Sequence, residues 1–104
     1  MLINTTPHEI TIFDENETVL MVLAAAPEPL RLVETRIFAF HVEGIPVFET
    51  KFEEPKSLPL EREGYFYIVP QFIKEFYTKR KDFLAPDQLV RKDGVIMGCK
   101  AFRI

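Results

Sequence analysis

The stretch LRLVETRIFAFHVEGIPVFETKF, residues 30–52, constrains the fold of this chain more than any other part of it. Apolar and β-branched residues recur through the stretch, and HVEG interrupts it with the residues of a turn. After that turn the side chains alternate, so that Val47, Glu49 and Lys51 face one way and the residues between them face the other. The stretch therefore predicts extended strands on either side of a tight turn.

Shorter segments predict more strands. EITIF and YFYIV are rich in β-branched and aromatic residues, and we interpret YFYIV as a central strand. TVLMVLAAA is too short to span a membrane and predicts a buried strand, with a short helix as the alternative. LVRKDGVIMGCKAFRI predicts a final hairpin, because Asp-Gly suits a tight turn with positive φ. We expect the N-terminal strand to pair with YFYIV or with this final hairpin.

One segment has helical spacing. Pro70 suits the first turn of a helix in PQFIKEFYTKRK, and the basic residues gather at its far end, where the helix dipole favours them. The apolar stripe of this helix consists of Phe72, Ile73, Phe76 and Tyr77. The pattern predicts a helix from Gln71 to about Arg80. The segments EEPKSLPLEREG and DFLAPDQ are predicted loops.

Together these segments predict an α+β fold, with a mostly antiparallel β-sheet or small barrel and one principal helix. The chain has 104 residues and no long linker, so we expect a single globular domain, residues 1–104. Ten phenylalanines and no tryptophan predict a core built from phenylalanine. The alternative is that surplus aromatic side chains lie on the surface, at a stacking site or a subunit interface.

Charge is distributed unevenly along the chain. Residues 1–73 carry a net charge of −7 and residues 74–104 a net charge of +4. The acidic total of −3 argues against general nucleic-acid binding, which needs a basic footprint. The basic end is compatible with a small anionic ligand or with a solvated helix end. With a single cysteine, no signal peptide and no long apolar run, we expect a cytoplasmic protein that spans no membrane.

No pattern in the sequence predicts catalysis. Motifs for zinc hydrolysis, a nucleophile elbow, a phosphate loop or a redox cysteine pair are missing, and no catalytic residue, metal ligand or cofactor is assigned. Cys99 paired with His8 or His41 is a formal nucleophile pair. Alternation within VIMGCKAF favours a buried Cys99 instead, and His41 is interpreted as a strand-end residue.

Two polar segments are candidates for a ligand site. In YTKRKDFLAPD, Arg80 supplies a bidentate fork for phosphate or carboxylate, with Asp82 and Asp87 to orient it or to contact ribose hydroxyls. Arg91 reaches the same place if the last hairpin packs beside the helix. The alternative is a solvated helix end.

The second candidate is the constrained bend TTPH. His8 lies there either to fix the turn through hydrogen bonds or to line a ligand site. If the N-terminal strand pairs with YFYIV, we expect TTPH to approach KRKD and to form one wall of a polar site.

LINTTPHEITIF, GYFYIVPQFI and KRKDFLAPDQLVRKDGVIMGCKAF together resemble a family of small bacteriophage and prophage proteins. Sequences of that family resemble the pattern L-x-N-x-T-P-H-x-I at their start and carry R-x-D, V-R-D and G-C motifs at their end. The resemblance covers about half of the chain, and Pro70 stands where a serine is usual. No activity is established for the family, so the resemblance implies no catalytic residue. It marks a set of polar positions in turns and loops: Asn4, Thr6, His8, Arg80, Asp82, Asp87 and Arg91.

Three functions are compatible with this pattern. The first is a phage-associated binding protein that sequesters a small anionic, nucleotide-like ligand to counter host defence. The second is a protein–protein interaction module or inhibitor that acts through its surface or as a homo-oligomer, which predicts an exposed apolar patch. The third is a small nucleotide-cleaving hydrolase that uses His8 with Arg80. The sequence favours a binding protein over an enzyme but does not decide between them.

Overall fold

A computed structural model of the chain describes residues 1–55 and 58–104. These residues form a mostly β structure with one short helix, in keeping with the expected α+β class. Part of the predicted loop EEPKSLPLEREG, residues 56–57, lies outside the described residues. The elements are β1 Leu2–Asn4, β2 Ile10–Phe13, β3 Val19–Leu23, β4 Val33–Val42, β5 Ile45–Glu53, β6 Phe66–Ile68, α1 Gln71–Phe76, β7 Phe83–Lys92 and β8 Val95–Arg103.

The N-terminal segment pairs with both of the partners expected for it. In the six-stranded sheet, ordered β1-β6-β7-β8-β2-β3, β1 pairs with β6 and β2 pairs with β8. Leu2 lies opposite Phe66, and Ile12 lies opposite Cys99. Because β1 and β2 are successive pieces of one segment on opposite flanks of the sheet, they draw it into a nearly closed, barrel-like shape. YFYIV contributes β6, which lies between two other strands, as predicted for a central strand.

The sheet is mixed, with parallel strand pairs beside the expected antiparallel ones. β1–β6, β6–β7 and β2–β8 pair in parallel, and β7–β8 and β2–β3 pair antiparallel. The parallel pairs arise because long connections separate their strands, and the crossover between β6 and β7 contains α1. Alternation within a strand carries no information about the direction of its neighbour.

Both predicted tight hairpins are present. Glu43 and Gly44 have φ angles of 50° and 79°, and Asp93 and Gly94 have φ angles of 53° and 78°. Positive φ at both central residues is the geometry of the type I′ turn, whose twist matches that of the flanking strands. The first turn joins β4 to β5 and the second joins β7 to β8.

Strand β7 begins at Phe83, earlier than predicted, so FLAPDQ of the predicted loop DFLAPDQ is strand. Phe83 and Ala85 are buried, and their alternation extends the strand toward the core. Pro86 interrupts the sequence pattern but not the strand. β6 ends at Ile68, which pairs with Leu84. Beyond that point β7 has no strand neighbour on its β6 side, so Pro86, which has no N–H to donate, can be accommodated in the strand.

The helix is shorter than predicted and ends at Phe76, not near Arg80. Tyr77, at φ −110° and ψ 62°, leaves the helical region while its N–H still bonds to the Ile73 carbonyl. Arg80 then lies in a turn, with its N–H on the Tyr77 carbonyl. The side chain of Arg80 is engaged by Asp82, an interaction that a continuing helix would not allow.

Aliphatic residues build most of the core, so the prediction of a phenylalanine core was wrong. One buried cluster comprises Leu30, Tyr67, Val69, Ile73 and Phe83, and the other comprises Ile10, Ile12, Ile68 and Cys99. Among the described residues, Phe83 is the one phenylalanine that is buried. Six others are exposed: Phe38, Phe40, Phe48, Phe66, Phe72 and Phe76.

Three predicted strands lie outside this core. β3 was expected to be buried, yet its residues Val19–Val22 are exposed at the edge of the sheet. β4 and β5 form a separate two-stranded sheet, which we call the arm.

The whole chain measures 53 × 38 × 24 Å and its radius of gyration is 17.0 Å, against about 13 Å for a compact domain of this length. No helix in the described part of the chain is long and apolar enough to cross a membrane.

Candidate functional site

The Asn4 side chain fixes the N-terminal bend. Its Nδ2 donates to the carbonyls of His8, at 2.8 Å, and Ala24, at 3.0 Å. Its Oδ1 accepts from the Thr6 N–H at 2.9 Å and from the Thr6 hydroxyl at 2.7 Å. Both donors and the acceptor of this amide are therefore used by the fold.

The two threonines of the bend are also structural. The Thr5 hydroxyl donates to the Ile68 carbonyl at 2.7 Å, and Thr6 is buried. The connection from β3 to β4 packs on their backbone, because Ala26 and Leu30 donate to the carbonyls of Thr6 and Thr5. Asn4 and Thr6 therefore hold three segments together, and their polar atoms are engaged before any ligand arrives.

His8 is placed differently from Asn4 and Thr6. Its backbone contributes to the turn, while its exposed side chain borders a cleft of about 380 Å³. The cleft lies between the bend and the start of α1 and is mostly apolar, with Arg31 and Gln71 also at its wall. The His8 side chain thus lies at the wall of a cleft, and its role as a ligand residue stays a prediction.

Arg80 and Asp82 form a partly buried ion pair. Arg80 Nε and Nη2 donate to Asp82 Oδ1 and Oδ2, each at 2.8 Å, and Nη2 also donates to the Pro59 carbonyl at 2.8 Å. The guanidinium carbon lies 4.2 Å from the centre of the Phe83 ring. Hydrogen bonding within the pair raises the pKa of Arg80 and lowers the pKa of Asp82. The Arg80 guanidinium, which was predicted to bind a ligand, instead links the Pro59 carbonyl to Asp82 at the start of β7.

The bend and the basic segment do not form one site. Asn4, Ile68 and Leu84 lie at the same level of three parallel strands. Thr6 and His8 come after Asn4 in the sequence and therefore lie at the carboxyl ends of these parallel strands. Arg80 and Asp82 come before Leu84 and therefore lie at the amino ends. The expected approach of TTPH to KRKD was therefore wrong, because two parallel strands place their preceding and following segments at opposite ends of the sheet. The pairing of His8 with Arg80 fails for the same reason.

The remaining predicted site residues lie apart from one another. Asp87 Oδ1 accepts from the Gln88 N–H at 2.9 Å and lies 3.8 Å from Arg103 Nη1 on the surface. Arg91 is exposed on β7, opposite Ile96 and close to the turn of the last hairpin. The seven predicted positions therefore divide among the bend, the ion pair and two separate surface positions.

Cys99 is buried, as the alternation of its strand predicted. Burial raises the pKa of its thiol, which disfavours the nucleophilic thiolate. In the described part of the chain, no three or more histidine, cysteine, aspartate or glutamate side chains gather as metal ligands would.

The feature that sequence reasoning missed is the exposure of the arm. Cross-strand partners share a face, so Phe40 lies with Val47 and Val42 lies with Ile45 on one face. Phe40, Val42 and Ile45 are at least half exposed. The signals were the length of the apolar hairpin and the surplus of phenylalanine, which the sequence analysis had assigned first to the core.

The opposite face of the arm is aromatic. The Phe38 ring centre lies 4.9 Å from that of His41 and 6.1 Å from that of Phe48. The Arg36 guanidinium lies 4.7 Å from the centre of the Phe48 ring. This aromatic face is also exposed, since Phe38 and Phe48 are 49% and 45% accessible.

The arm joins the rest of the protein at its base. There Phe52 packs on Phe72 of α1, with ring centres 4.9 Å apart. A mostly apolar cleft of about 250 Å³ lies beside this contact, with Leu30, Leu32 and Ile73 among its walls. Along most of its length, the arm has solvent on both faces.

The surface area of the chain exceeds that of a compact monomer. A compact protein of 12.1 kDa exposes about 6,000 Å². This chain exposes 7749 Å², which is about 1,700 Å² more. Each subunit of an obligate homodimer buries roughly 1,000 to 2,500 Å², and the excess falls within this range.

No protein-family model, no curated protein and no solved structure matches this chain.

Proposed function

We propose that this chain is a protein–protein interaction module that works as a homo-oligomer, with the arm as its interface. The observation that carries the proposal is the exposure of apolar side chains on both faces of the arm. A two-stranded hairpin is marginally stable alone in water, because neither face buries its side chains. The arm therefore needs a partner surface, and its aromatic side chains are the residue types that anchor such interfaces.

A second copy of the chain is the partner favoured by area. The excess surface of about 1,700 Å² per chain fits a two-fold interface, in which each copy offers the same patch. Charged residues interspersed along the arm, such as Arg36, Glu49 and Lys51, keep the separated chains soluble and limit indiscriminate association.

The resemblance to phage and prophage proteins supports a setting for this module. We place it, as part of the same proposal, in the cytoplasm of a bacterial host, where an oligomer of a small protein acts as an accessory or an inhibitor by covering a surface of a host protein. Binding through a surface needs no catalytic residues, which agrees with the engagement of Asn4, Arg80 and Asp82 in the fold.

Sedimentation velocity tests the proposal. We expect the wild-type chain to sediment as an oligomer, and Phe48→Ser to shift it toward the monomer, because Phe48 is 45% exposed on the arm. Phe66→Ser is the matched control, since Phe66 is 43% exposed on β6 of the six-stranded sheet. A monomeric wild-type chain, or equal effects of the two variants, would contradict the proposal.

The cleft beside His8 favours a second candidate function, the binding of a small anionic ligand such as a nucleotide. Its walls are mostly apolar and carry Arg31 and His8, so an aromatic base with an attached phosphate matches their chemistry. Thermal shift with nucleotides and cyclic nucleotides tests it. We expect stabilisation that Arg31→Ala removes and that Arg91→Ala, at the far end of β7, retains. No shift with any nucleotide would exclude this candidate.

A further inference from the structure

Resting on the proposed function, we propose that two copies join along the edges of β5 as antiparallel strands, with the two-fold axis at Thr50. The result is a continuous four-stranded sheet, β4-β5-β5-β4, shared between two chains. This proposal names the occupant of the arm, a second arm, and the register in which the two meet.

Of the two free edges of the arm, the edge of β5 is better suited to hydrogen bonding with another strand. The register of the arm shifts between Phe38 and Phe40, which places a β-bulge in β4. A bulge twists a strand and interrupts its outer hydrogen-bonding groups, which is how proteins protect an edge from pairing. The partner residues of β5 follow one another without an insertion, so its outer groups remain evenly spaced.

The turn determines which residues of β5 have outward hydrogen-bonding groups. In a two-residue hairpin the pair flanking the turn, here Val42 and Ile45, exchanges both backbone hydrogen bonds. Every second residue from Ile45 therefore bonds inward to β4. The residues between them point their N–H and C=O groups outward, and these are Pro46, Phe48, Thr50 and Phe52.

Proline restricts the possible registers. Pro46 has no N–H to donate, so a strand pairing at its outward position loses a bond. Pairing about Thr50 sets Phe48 opposite Phe52 of the partner subunit and uses residues 47–53. Pro46 lies beyond this overlap. A register centred on Glu49 would instead set Pro46 opposite an outward residue.

Charge complementarity selects the same register. About Thr50, Glu49 of each copy lies directly opposite Lys51 of the other, giving two pairs of opposite charge. Centring on Glu49 would set two glutamates opposite each other, and centring on Lys51 would set two lysines opposite each other. Directly opposed side chains at such positions are the closest pairs in an antiparallel sheet, so like charges there oppose pairing.

The aromatic face becomes continuous in this register. Phe48 of one copy lies beside Phe52 of the partner subunit, and each of these already contacts a further ring, Phe38 or Phe72. Two rows of four aromatic rings then cross the interface, one on each side of the axis. On this face, Phe48 and Phe52 each gain a ring neighbour across the interface that the isolated arm does not give them.

Charge reversal tests the register. In a dimer of Glu49→Lys, the introduced lysine of each copy lies opposite the partner's Lys51, and in a dimer of Lys51→Glu the introduced glutamate of each copy lies opposite the partner's Glu49. We expect each variant to weaken dimerisation about tenfold or more. Across β4 these residues face Ile37 and Thr35, so reversal breaks no ion pair within the arm. The matched control is Glu53→Lys, the same charge change at a position that faces Val47 in this register.

Mixing the two variants gives the sharper result. A one-to-one mixture of Glu49→Lys with Lys51→Glu restores two pairs of opposite charge in the heterodimer, and so does the double variant in a homodimer. We expect wild-type affinity in both, measured by sedimentation equilibrium. Rescue on mixing also shows that each variant is folded.

The outcomes separate this register from self-association itself. If the wild-type chain dimerises but mixing does not rescue the single variants, or if Glu53→Lys weakens dimerisation as much as Glu49→Lys, the register is wrong and the proposed function stands. If the wild-type chain is monomeric at every concentration, the proposed function fails and the register with it.

Discussion

The Arg80 guanidinium donates two hydrogen bonds of 2.8 Å to the carboxylate of Asp82 and lies over the ring of Phe83. The side chains of the pair are 14% and 12% accessible. Arg80 also donates to the Pro59 carbonyl at 2.8 Å, so one side chain connects the loop before β6 with the start of β7. The pair therefore stabilises the fold at the end of the sheet away from His8.

The first prediction concerns the Arg80–Asp82 pair. Asp82→Asn removes one acceptor and the charge from a partly buried guanidinium, so we expect the free energy of unfolding to fall by about 1–3 kcal/mol. Urea unfolding measures this change. Glu61→Gln is the control, because Glu61 lies 3.3 Å from Arg80 but its side chain is 68% exposed, where an ion pair contributes little. Equal losses from the two variants would show that burial does not set the strength of the pair.

The same pair predicts an acid dependence of stability. Because the pKa of Asp82 is lowered in the folded chain, its contribution is complete above the ordinary carboxyl pKa of about 4. It is lost progressively as the pH falls below that value and through the lowered pKa. We expect Asp82→Asn to flatten the decline in stability between about pH 4 and pH 2. A decline identical to that of the wild-type chain would rule out this origin.

The second prediction concerns the N-terminal bend. Asn4→Ala leaves the Thr6 N–H and the Ala24 carbonyl without their partner, while the Thr6 hydroxyl still donates to the His8 carbonyl, so we expect a loss of about 1–3 kcal/mol in the free energy of unfolding. Asn16→Ala, in the exposed turn between β2 and β3, is expected to change it by less than about 0.5 kcal/mol. Thermal unfolding of both variants distinguishes a structural Asn4 from a surface residue of a ligand site.

The third prediction concerns Tyr77. Its hydroxyl is buried and has no hydrogen-bond partner among residues 1–55 and 58–104. Tyr77→Phe removes that hydroxyl but keeps the ring contacts with Phe76 and Phe83, so we expect a gain of about 1 kcal/mol in the free energy of unfolding. A measured loss of stability would mean that the hydroxyl has a partner in solution.

The fourth prediction concerns Cys99 at alkaline pH. Because burial raises the pKa of its thiol, the unfolded chain ionises before the folded one as the pH rises. Stability is therefore expected to fall above about pH 8.5, the ordinary thiol range, and Cys99→Ala is expected to remove that dependence. A thiol reagent should accordingly react with the wild-type chain only after denaturant is added.

Local patterns in the sequence predicted the elements that depend on short-range chemistry. Asp93-Gly94 and Glu43-Gly44 adopt positive φ because their turns require it, and both hairpins follow from that requirement. Burial of Cys99 followed from alternation in its strand.

Long-range arrangement was not predictable in the same way. A parallel strand pairing depends on the connection between two strands and not on the residues within them, so the opposite placement of His8 and Arg80 had no local signal. Phe40 and Phe48 have the same sequence pattern whether a core or a second chain covers them. The helix ends at Phe76, where Tyr77 leaves the helical region, and the Arg80–Asp82 hydrogen bonds that follow join residues a helix would not bring together.

Hydrogen–deuterium exchange at two protein concentrations tests most directly whether a second copy covers the arm. The outward amides of Phe48 and Thr50 have no partner strand within one chain, whereas dimerisation through β5 supplies one. We predict that these amides are protected at concentrations where the dimer forms and that protection disappears on dilution, while Tyr67, bonded to the Asp82 carbonyl within one chain, stays protected at both. Rapid exchange of Phe48 and Thr50 at both concentrations would contradict the account.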